Sequence, residues 1–332
     1  REDDMSVNVL LIGAPLSRNL GGPSLFLTTR AVLDKALGET KYTFITPLEE
    51  DLDLAREYDT QIVMASSMKK LVPAALAKRF LKLDVGTPNA RKVLKAYSEA
   101  DVVIDIWGIG FSDSISRGTL RGSVLSGGHF LVGKLLGKPV VKYTADLGPF
   151  ESRWNRFFSR FYFNHTVDLI LARSDTTKER LLRLGVKTPV RVCPDTAFLL
   201  EAQSSAFAEK LAKEKGDRPI IGFSVSHMAV RQSAHPESYI QSMARLADHV
   251  VENIGARVVL IPNEISPRAS EDDVHVSQLV LEKMERKDEG VIVPVESYIP
   301  QQLKGIIGQC DAVVAARYHT CLLYTSPSPR DS

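Results

Sequence analysis

The sequence predicts an α/β protein made of two Rossmann-like domains that face each other across a cleft. The chain has 332 residues, about twice the length of an ordinary domain. Short β-branched runs alternate with helical patterns along its length, which is typical of the βαβ units that build parallel sheets. A charge-rich stretch at residues 201–218 interrupts the alternation and separates two such parts.

Ten runs rich in β-branched residues, each closed by a polar or glycine-rich turn, predict strands. Those before the charge-rich stretch are Val7–Ile12, Tyr42–Thr46, Gln61–Ala65, Val102–Ile106, Pro139–Tyr143 and Val167–Ala172. Those after it are Ile220–Ser224, Arg257–Ile261, Gly290–Val293 and Asp311–Ala315. Apolar residues at helical spacing predict helices over Thr176–Leu184 and Pro236–Ile254. We therefore predict an N-terminal domain over residues 1–200, a linker or helix over 201–218 and a C-terminal domain over 219–320.

The end of the sequence breaks with this pattern. Residues 321–332 become rich in Ser and Pro without periodicity and resemble the translation of a sequencing adapter. We therefore interpret 321–332 as a non-native tail and exclude it from the predicted fold. On that interpretation the natural chain continues past Thr320 and the second domain is incomplete here. At the other end, Met5 is a candidate start.

The composition is that of a globular protein. Apolar residues make up 44% and charged residues 25% of the chain, which excludes disordered, collagen-like and disulfide-rich proteins. With 42 basic and 40 acidic residues the net charge is +2, which is too balanced for a protein whose main task is to coat nucleic acid or an anionic membrane, and we expect no nucleic-acid partner. The longest apolar runs fall short of the ~18 residues that span a bilayer. No charged segment followed by an apolar one opens the sequence, so we expect no export.

The cysteines and histidines bear on compartment and metal binding. The three cysteines, Cys193, Cys310 and Cys321, form no CxxC motif and no evident pair, which is typical of a reduced compartment such as the cytoplasm. No two histidines have the spacing of zinc ligands, so the sequence predicts no structural metal.

A glycine-rich loop with Asn19, Gly21 and Gly22 follows the first predicted strand. Glycine lets the backbone turn tightly there, and a helix starting after the loop would offer N–H groups to an anion. The loop is not GxGxxG, and such turns also occur without a ligand, so both interpretations stay open. We take these three residues as candidate substrate-binding residues.

The loop after Val102–Ile106 combines Gly108, Gly110, Ser112 and Asp113. Two glycines, a hydroxyl and a carboxylate directly after a buried strand would form a wall for a sugar or a phosphate. A tight turn in which Ser112 or Asp113 caps a helix explains the same residues, and we keep both interpretations.

Arg173 stands where the strand Val167–Ala172 ends, directly before residues that can cap a helix. A guanidinium beside a helix N-terminus suits a carboxylate or a phosphate. The competing interpretation is a structural arginine paired with Asp175 or another neighbour. We favour the binding role.

Arg317 and His319 follow the last predicted strand. Arginine is a fixed cation, and histidine is the residue type that can give or take a proton near neutrality. A single histidine is more often structural, but one beside an arginine at a strand end favours a function. Arg231 and Glu264, each in a loop region after a strand, are weaker candidates. The acidic pair Asp272–Asp273 could orient a sugar hydroxyl but is more typical of a solvated turn.

Residues 153–163 have the most unusual composition in the chain. A helix there would place five aromatic side chains on one face and three arginines around the rest. These are Trp154, Phe157, Phe158, Phe161 and Tyr162, with Arg153, Arg156 and Arg160. Such a helix could make a peripheral contact with an anionic membrane. A core helix with a solvated basic edge explains the pattern as well, and we favour it.

Eight short motifs succeed one another along the chain up to Thr320. They are Asn19-Leu-Gly21-Gly22, Gly108-Ile-Gly110-Phe-Ser-Asp113, Leu136-Gly-Lys-Pro139-Val-Val, Leu147-Gly148-Pro149, Ala172-Arg173-Ser-Asp175, Pro194-Asp195-Thr-Ala197-Phe, Leu260-Ile-Pro262-Asn-Glu264 and Arg317-Tyr-His319. Each is weak alone, but in this order they resemble the polysaccharide pyruvyl transferase family. The chain departs from the family's frequent Asn-x-Gly-Asp at Gly22, which argues against a carboxylate role there.

The resemblance implies a fold like that of two-domain glycosyltransferases of the GT-B type. It implies transfer of a pyruvyl group, as a ketal, from phosphoenolpyruvate to a sugar of a cell-surface or exopolysaccharide precursor. His319 would be the acid and base, and Arg317 would hold the anionic donor, with Arg173 and then Arg231 as weaker candidates for that task. The acceptor would be a saccharide, free or linked to a lipid or nucleotide, in the cytoplasm or at the inner face of the membrane. No cofactor besides the donor is expected.

Two other functions fit the same residues. A nucleotide-sugar glycosyltransferase or epimerase of the same architecture would bind a diphosphate, and Ser224–His227 and Pro262–Glu264 could form such a site. A non-catalytic adaptor for a sugar polymer or a membrane surface would use the aromatic helix. Phosphate release from phosphoenolpyruvate in the presence of a sugar separates the first rival from the pyruvyl transferase.

Overall fold

The computed structural model of the chain describes residues 6–113 and 119–326. The chain divides into two units, one formed by Arg1–Ser17 and Leu25–Thr196, the other by Arg18–Ser24 and Ala197–Ser332. The sequence did not predict that the short segment Arg18–Ser24 counts with the second unit. The candidate start Met5 and the tail residues 327–332 lie outside the described residues.

The first unit is built on an eight-stranded parallel sheet. Its strands are β1 (Val7–Ile12), β2 (Thr40–Thr46), β3 (Gln61–Met64), β4 (Val102–Asp105), β5 (Ile109–Gly110), β6 (Val140–Leu147), β7 (Leu169–Ala172) and β8 (Val190–Val192). The order is β3-β2-β1-β4-β6-β7-β8, with β5 paired to β6. The order switches direction between β1 and β4, and a sheet of this kind binds ligands at the carboxyl ends of the strands beside such a switch.

The helices of the first unit pack against this sheet, and five of them share one face. The helices are α1 (Gly21–Leu37), whose first turn counts with the second unit, α2 (Met68–Leu76), α3 (Pro88–Glu99), α4 (Leu120–Ser126), α5 (Gly128–Leu135), α6 (Arg153–Thr166) and α7 (Asp175–Leu184). A 3₁₀ helix spans Glu49–Ala55, and a π-helical turn, Ala77–Leu81, extends α2. One core cluster joins α2, α3, α5, α6 and α7 on the same sheet face through Leu71, Val93, Phe130, Phe163 and Leu181.

The second unit has a four-stranded parallel sheet in the order β11-β10-β9-β12. The strands are β9 (Ile220–Ser224), β10 (Arg257–Leu260), β11 (Gly290–Ile292) and β12 (Ala312–Ala315). The helices are α8 (Ala206–Lys215), α9 (His227–Gln232), α10 (Pro236–Ile254), α11 (Asp273–Lys283), α12 (Pro300–Ile307) and α13 (Tyr318–Thr325), with 3₁₀ turns at Thr196–Leu199, Ala269–Glu271, Lys287–Glu289 and Val295–Ser297. Phe223, Ile240, Val258 and Val280 lie in its core.

All ten predicted strands are present, and the α/β class with parallel sheets is confirmed. The sequence missed β5 and β8 because two or three residues are too few to show a pattern. The charge-rich stretch at 201–218 contains α8, whose Ala208 and Leu211 are buried. We left residues 321–332 out of the predicted fold; in the structure residues 321–325 continue α13 and bury Leu322 and Leu323.

The aromatic helix α6 exists, but its aromatic face is not the face that packs. The buried side carries Asn155, Ser159, Tyr162, Phe163 and Thr166. Trp154, Phe157 and Phe161 are exposed to solvent. Our preference for a core helix therefore holds for Tyr162 but is wrong for these three residues. Within the described ranges, no helix is both long and apolar enough to cross a bilayer.

Candidate functional site

Arg317 and His319 lie in one turn at the carboxyl end of β12, in the second unit. Arg317 is the N-cap residue of α13, and the next turn is fixed by the buried Thr320. The Thr320 hydroxyl lies 3.0 Å from the Ser224 hydroxyl at the end of β9, and it accepts a hydrogen bond of 3.0 Å from the amide of Asn263. Because three strand ends meet there, the backbone that carries both candidates is held in one position.

Arg317 is bound by a buried carboxylate. Its Nε and Nη2 donate to the two carboxylate oxygens of Asp273 at 2.8 and 2.7 Å, which is a bidentate geometry. The side chain of Asp273 is fully buried, and it also accepts from the backbone N–H groups of His227 at 2.8 Å and Glu264 at 3.1 Å. The His227 Nδ1 atom lies 3.0 Å from Asp273 and 2.9 Å from Nη2 of Arg317. The guanidinium is therefore fixed in place before any ligand arrives.

A second carboxylate, that of Glu264, lies 3.1 Å from Nη2 of Arg317 and is partly exposed. Asp273 is buried and bonded several times, so a ligand can displace Glu264 far more readily than Asp273. In the described part of the chain, Nη1 of Arg317 meets no acceptor. An anion can therefore bind at Nη1 directly and gain Nη2 by replacing Glu264.

The ring of His319 packs against the glycine loop that the sequence singled out. A Cβ atom at Gly21 would lie 2.5 Å from Nδ1 and 2.8 Å from Nε2 of His319, so the ring requires a glycine at this position. Asn19 shapes the loop, because its side-chain oxygen accepts from the Gly22 N–H at 2.7 Å. The backbone of Leu20 donates to Asn263 at 3.1 Å and fixes the loop to the strand end after β10. His319 thus lies at the N-terminal, positive end of α1.

The structure therefore brings six of the predicted residues into one region of the second unit. These are Asn19, Gly21, Gly22, Glu264, Arg317 and His319. Arg231 lies exposed in the last turn of α9, in the helix that begins with His227.

Arg173 lies in the first unit and is almost fully buried. Its Nη2 lies 2.8 Å from the carboxylate of Asp195, and its Nε donates to the carbonyl of Thr144 at 2.6 Å. Gly108 makes room for it, because a Cβ there would lie 2.9 Å from Nη1 of Arg173. The paired carboxylate is Asp195 rather than Asp175. Three of the eight short motifs, those that contain Gly108, Arg173 and Asp195, therefore contact one another here.

A cavity of about 310 Å³ opens beside Gly110 in the first unit, at the sheet's switch point. Its lining includes Trp107, His129 and the buried Lys142. The ammonium of Lys142 lies 3.0 Å from the carboxylate of Asp105 and donates to the Trp107 carbonyl at 2.6 Å. Burial lowers the pKa of Lys142, and the charge of Asp105 opposes that shift.

Asp113 and Ser112 end the same loop. The Asp113 carboxylate accepts from the backbone N–H of Glu151 at 2.5 Å, from that of Ser152 at 3.2 Å and from the Asn155 amide at 3.2 Å. Burial acts to raise the pKa of Asp113, but the hydrogen bonds from Ser152, Glu151 and Asn155 outweigh it and hold the pKa below its ordinary value of 3.8. Asp113 thus binds the residues that start α6, and Ser112 is buried beside it.

A comparison with known protein families matches residues 33–323 to the family described as polysaccharide pyruvyl transferase. The chain belongs to the polysaccharide pyruvyl transferase family. It is a transferase that modifies polysaccharides. A comparison with proteins of curated function finds no match.

Solved structures with the same fold include enzymes of nucleotide-sugar chemistry. The transferase resembles Staphylococcus aureus MnaA solved with UDP, at 13% identity and a TM-score of 0.55, over 94% of this chain and 74% of that one. It resembles UDP-GlcNAc 2-epimerase of Methanocaldococcus jannaschii at 14% identity and a TM-score of 0.52, and the match covers 98% of this chain and 83% of that one. A glycosyltransferase of Rickettsia africae matches at 15% identity and a TM-score of 0.50, over 94% of this chain and 73% of that one. At these identities the likeness shows the shared GT-B-type fold.

Sequence reasoning missed the carboxylate and the histidine that hold Arg317 in the transferase. We interpreted Asp273 as part of a solvated turn, yet it is fully buried. The sequence places His227 only in the candidate diphosphate loop Ser224–His227 and does not connect it with Arg317. The signal that could have revealed Asp273 is its position directly after Asp272, because Asp272 caps α11 and leaves its neighbour on the inner side of the helix.

Proposed function

We propose that the transferase moves a pyruvyl group from phosphoenolpyruvate onto a saccharide as a ketal, with Arg317 binding the donor and His319 carrying the proton. One observation supports this most strongly. His319 lies against Gly21 at the start of α1, two residues from a guanidinium that Asp273 holds in a fixed orientation.

Phosphoenolpyruvate carries a carboxylate and a phosphate on a three-carbon frame. A planar guanidinium binds such groups through two parallel hydrogen bonds. The two N–H groups of Nη1 on Arg317 face no acceptor among the described residues, and Glu264 can yield those of Nη2. The positive end of the α1 dipole beside His319 adds a further preference for an anion.

The reaction needs a group that first gives and then takes a proton. Protonation of the donor's methylene carbon by His319 leaves positive charge on C2, which a sugar hydroxyl attacks. The proton of that hydroxyl returns to His319. The C2–O bond to phosphate then breaks, a second hydroxyl of the same sugar bonds to C2, and its proton leaves with the phosphate. One ketal and one phosphate result, and His319 ends as it began.

Direct binding of the donor tests the assignment of Arg317. Calorimetry with phosphoenolpyruvate should show binding to the wild type and a loss of about tenfold or more in Arg317→Gln, since a charge-assisted hydrogen bond contributes ~1.5–3 kcal/mol. Arg245→Gln is the matched control, because Arg245 is exposed on α10 in the same unit. Binding of UDP but not of phosphoenolpyruvate would contradict the proposal and favour a nucleotide-sugar enzyme.

A further inference from the structure

The exposed side of α6 carries two parallel stripes of side chains. Trp154, Phe157 and Phe161 form an aromatic stripe, and their side chains are between 37% and 62% exposed. Arg153, Arg156 and Arg160 form an arginine stripe with the same spacing, displaced by one residue, which is about 100° around the helix. The opposite side of α6 packs into the core. We call these six residues the basic aromatic face.

The arginines of this face are not neutralised by the protein. Within residues 6–113 and 119–326, none of the three forms an ion pair with a carboxylate. The guanidinium of Arg153 lies 4.9 Å above the ring of Trp154, and that of Arg160 lies over Gly185. Glu151 is the acidic residue nearest in sequence, and it stands before the helix begins. The face therefore combines exposed aromatic rings with uncompensated positive charge.

Helix α4 continues the apolar surface beside α6. The Tyr162 hydroxyl of α6 donates to the Val124 carbonyl of α4 at 2.6 Å, so the two helices are fixed side by side. Leu120, Val124 and Leu125 of α4 are exposed, and Arg121 is exposed among them. The basic aromatic face is thus part of a wider surface of the same character.

A second segment of the first unit repeats this chemistry. Phe80, Leu81 and Leu83, after α2, are between 51% and 70% exposed. Basic residues surround them at positions 69, 70, 78, 79 and 82, against one nearby acid, Asp84. Helices α2 and α6 pack into one core cluster on the same face of the sheet. Both exposed segments therefore belong to the same helical layer.

We propose that this layer docks the transferase on an anionic lipid bilayer, with the aromatic and aliphatic side chains entering the headgroup region and the arginines and lysines binding lipid phosphates. Amphipathic helices with Trp and Phe beside Arg and Lys bind such interfaces. A symmetric pairing of two copies through this face is disfavoured, because it would set arginines against arginines. This inference goes beyond the proposed reaction and does not depend on it.

Vesicle flotation tests the docking. The full chain should float with vesicles of phosphatidylglycerol at least about tenfold more than with vesicles of phosphatidylcholine alone. Salt at about 0.5 M should reduce the fraction of protein that floats, because it screens the attraction between charges beyond a few Å. Substituting Trp154, Phe157 and Phe161 together by Ser, or Arg153, Arg156 and Arg160 together by Gln, should lower flotation about tenfold. Ile254→Ser is the matched control, since Ile254 is an exposed apolar residue at the end of α10 in the other unit.

Three outcomes would overturn the inference. The wild type could stay unbound to both vesicle types, or the two triple variants could float as well as the Ile254→Ser control. Alternatively, light scattering could show a wild-type dimer that the Ser variant dissociates without any change in flotation, which would assign the face to a second copy. Circular dichroism checks that each variant is folded. A set of Arg→Lys replacements, which keeps the charge, should retain flotation and distinguishes charge from helix damage.

Discussion

The ion pair between Asp273 and Arg317 yields the sharpest prediction about stability. In Asp273→Asn an amide replaces a fully buried carboxylate that accepts from Arg317 at 2.7 and 2.8 Å and from three backbone N–H groups. One of the two oxygens becomes an NH₂ group, which faces other donors, and Glu264, which is partly exposed, stays as a carboxylate partner of the guanidinium. Removing one member of a buried pair costs ~3–5 kcal/mol, which is a large part of an ordinary stability of ~5–15 kcal/mol.

Urea unfolding followed by circular dichroism measures this loss, and calorimetry measures phosphoenolpyruvate binding on the same protein. Asp272→Asn is the matched control. Asp272 caps α11 through the backbone N–H groups of Val274 and His275. Because Asn caps a helix about as well as Asp, this variant should change stability by less than ~0.5 kcal/mol. If Asp273→Asn were as stable as Asp272→Asn and bound the donor like the wild type, Asp273 would not organise the site.

Three further predictions test other contacts of the site and its surroundings. Gly21→Ala should lower kcat about tenfold or more, because the new Cβ atom would displace the ring of His319. The thermal unfolding temperature should change little, since Ala favours a helix, and normal turnover would argue against this packing. Glu264→Gln should tighten donor binding several-fold in calorimetry, because it removes the carboxylate 3.1 Å from Arg317, and weaker binding would assign Glu264 a different role. Asp113→Ala should cost ~1 kcal/mol in urea unfolding at neutral pH. Because the folded pKa of Asp113 lies below 3.8, its contribution is present above that value and is lost as the pH falls through the folded pKa, so wild type and variant should converge in acid.

The strands were predictable because each buried parallel strand is a short β-branched run between turns. Helix α10 was predictable for a related reason, since its apolar residues repeat at helical spacing over Pro236–Ile254. For α6 the spacing of aromatic residues predicted a helix but did not show which side of it packs into the core. Its core face includes Asn155 and Ser159, whose polar groups are bonded inside the protein, and its largest aromatic rings remain outside.

The candidate site was predictable in part. Arg317, His319 and the glycine loop could be found because they follow strands, where parallel sheets place ligand-binding residues. The residue that fixes Arg317 was missed, because Asp273 lies 44 positions away in sequence and its surroundings resemble an ordinary acidic turn. The buried pair of Lys142 and Asp105 escaped for the same reason, since one charge within each strand shows no partner until the strands are aligned.

The proton transfer to the donor is the central claim, and nuclear magnetic resonance of the reaction in D₂O tests it most directly. With phosphoenolpyruvate and a methyl hexopyranoside that has free O4 and O6, the wild type should release phosphate and form a ketal whose methyl group carries one deuterium. His319→Gln should slow this reaction ~10²–10⁴-fold and still bind the donor. An undeuterated methyl group, or full activity without the imidazole, would contradict the assignment of His319.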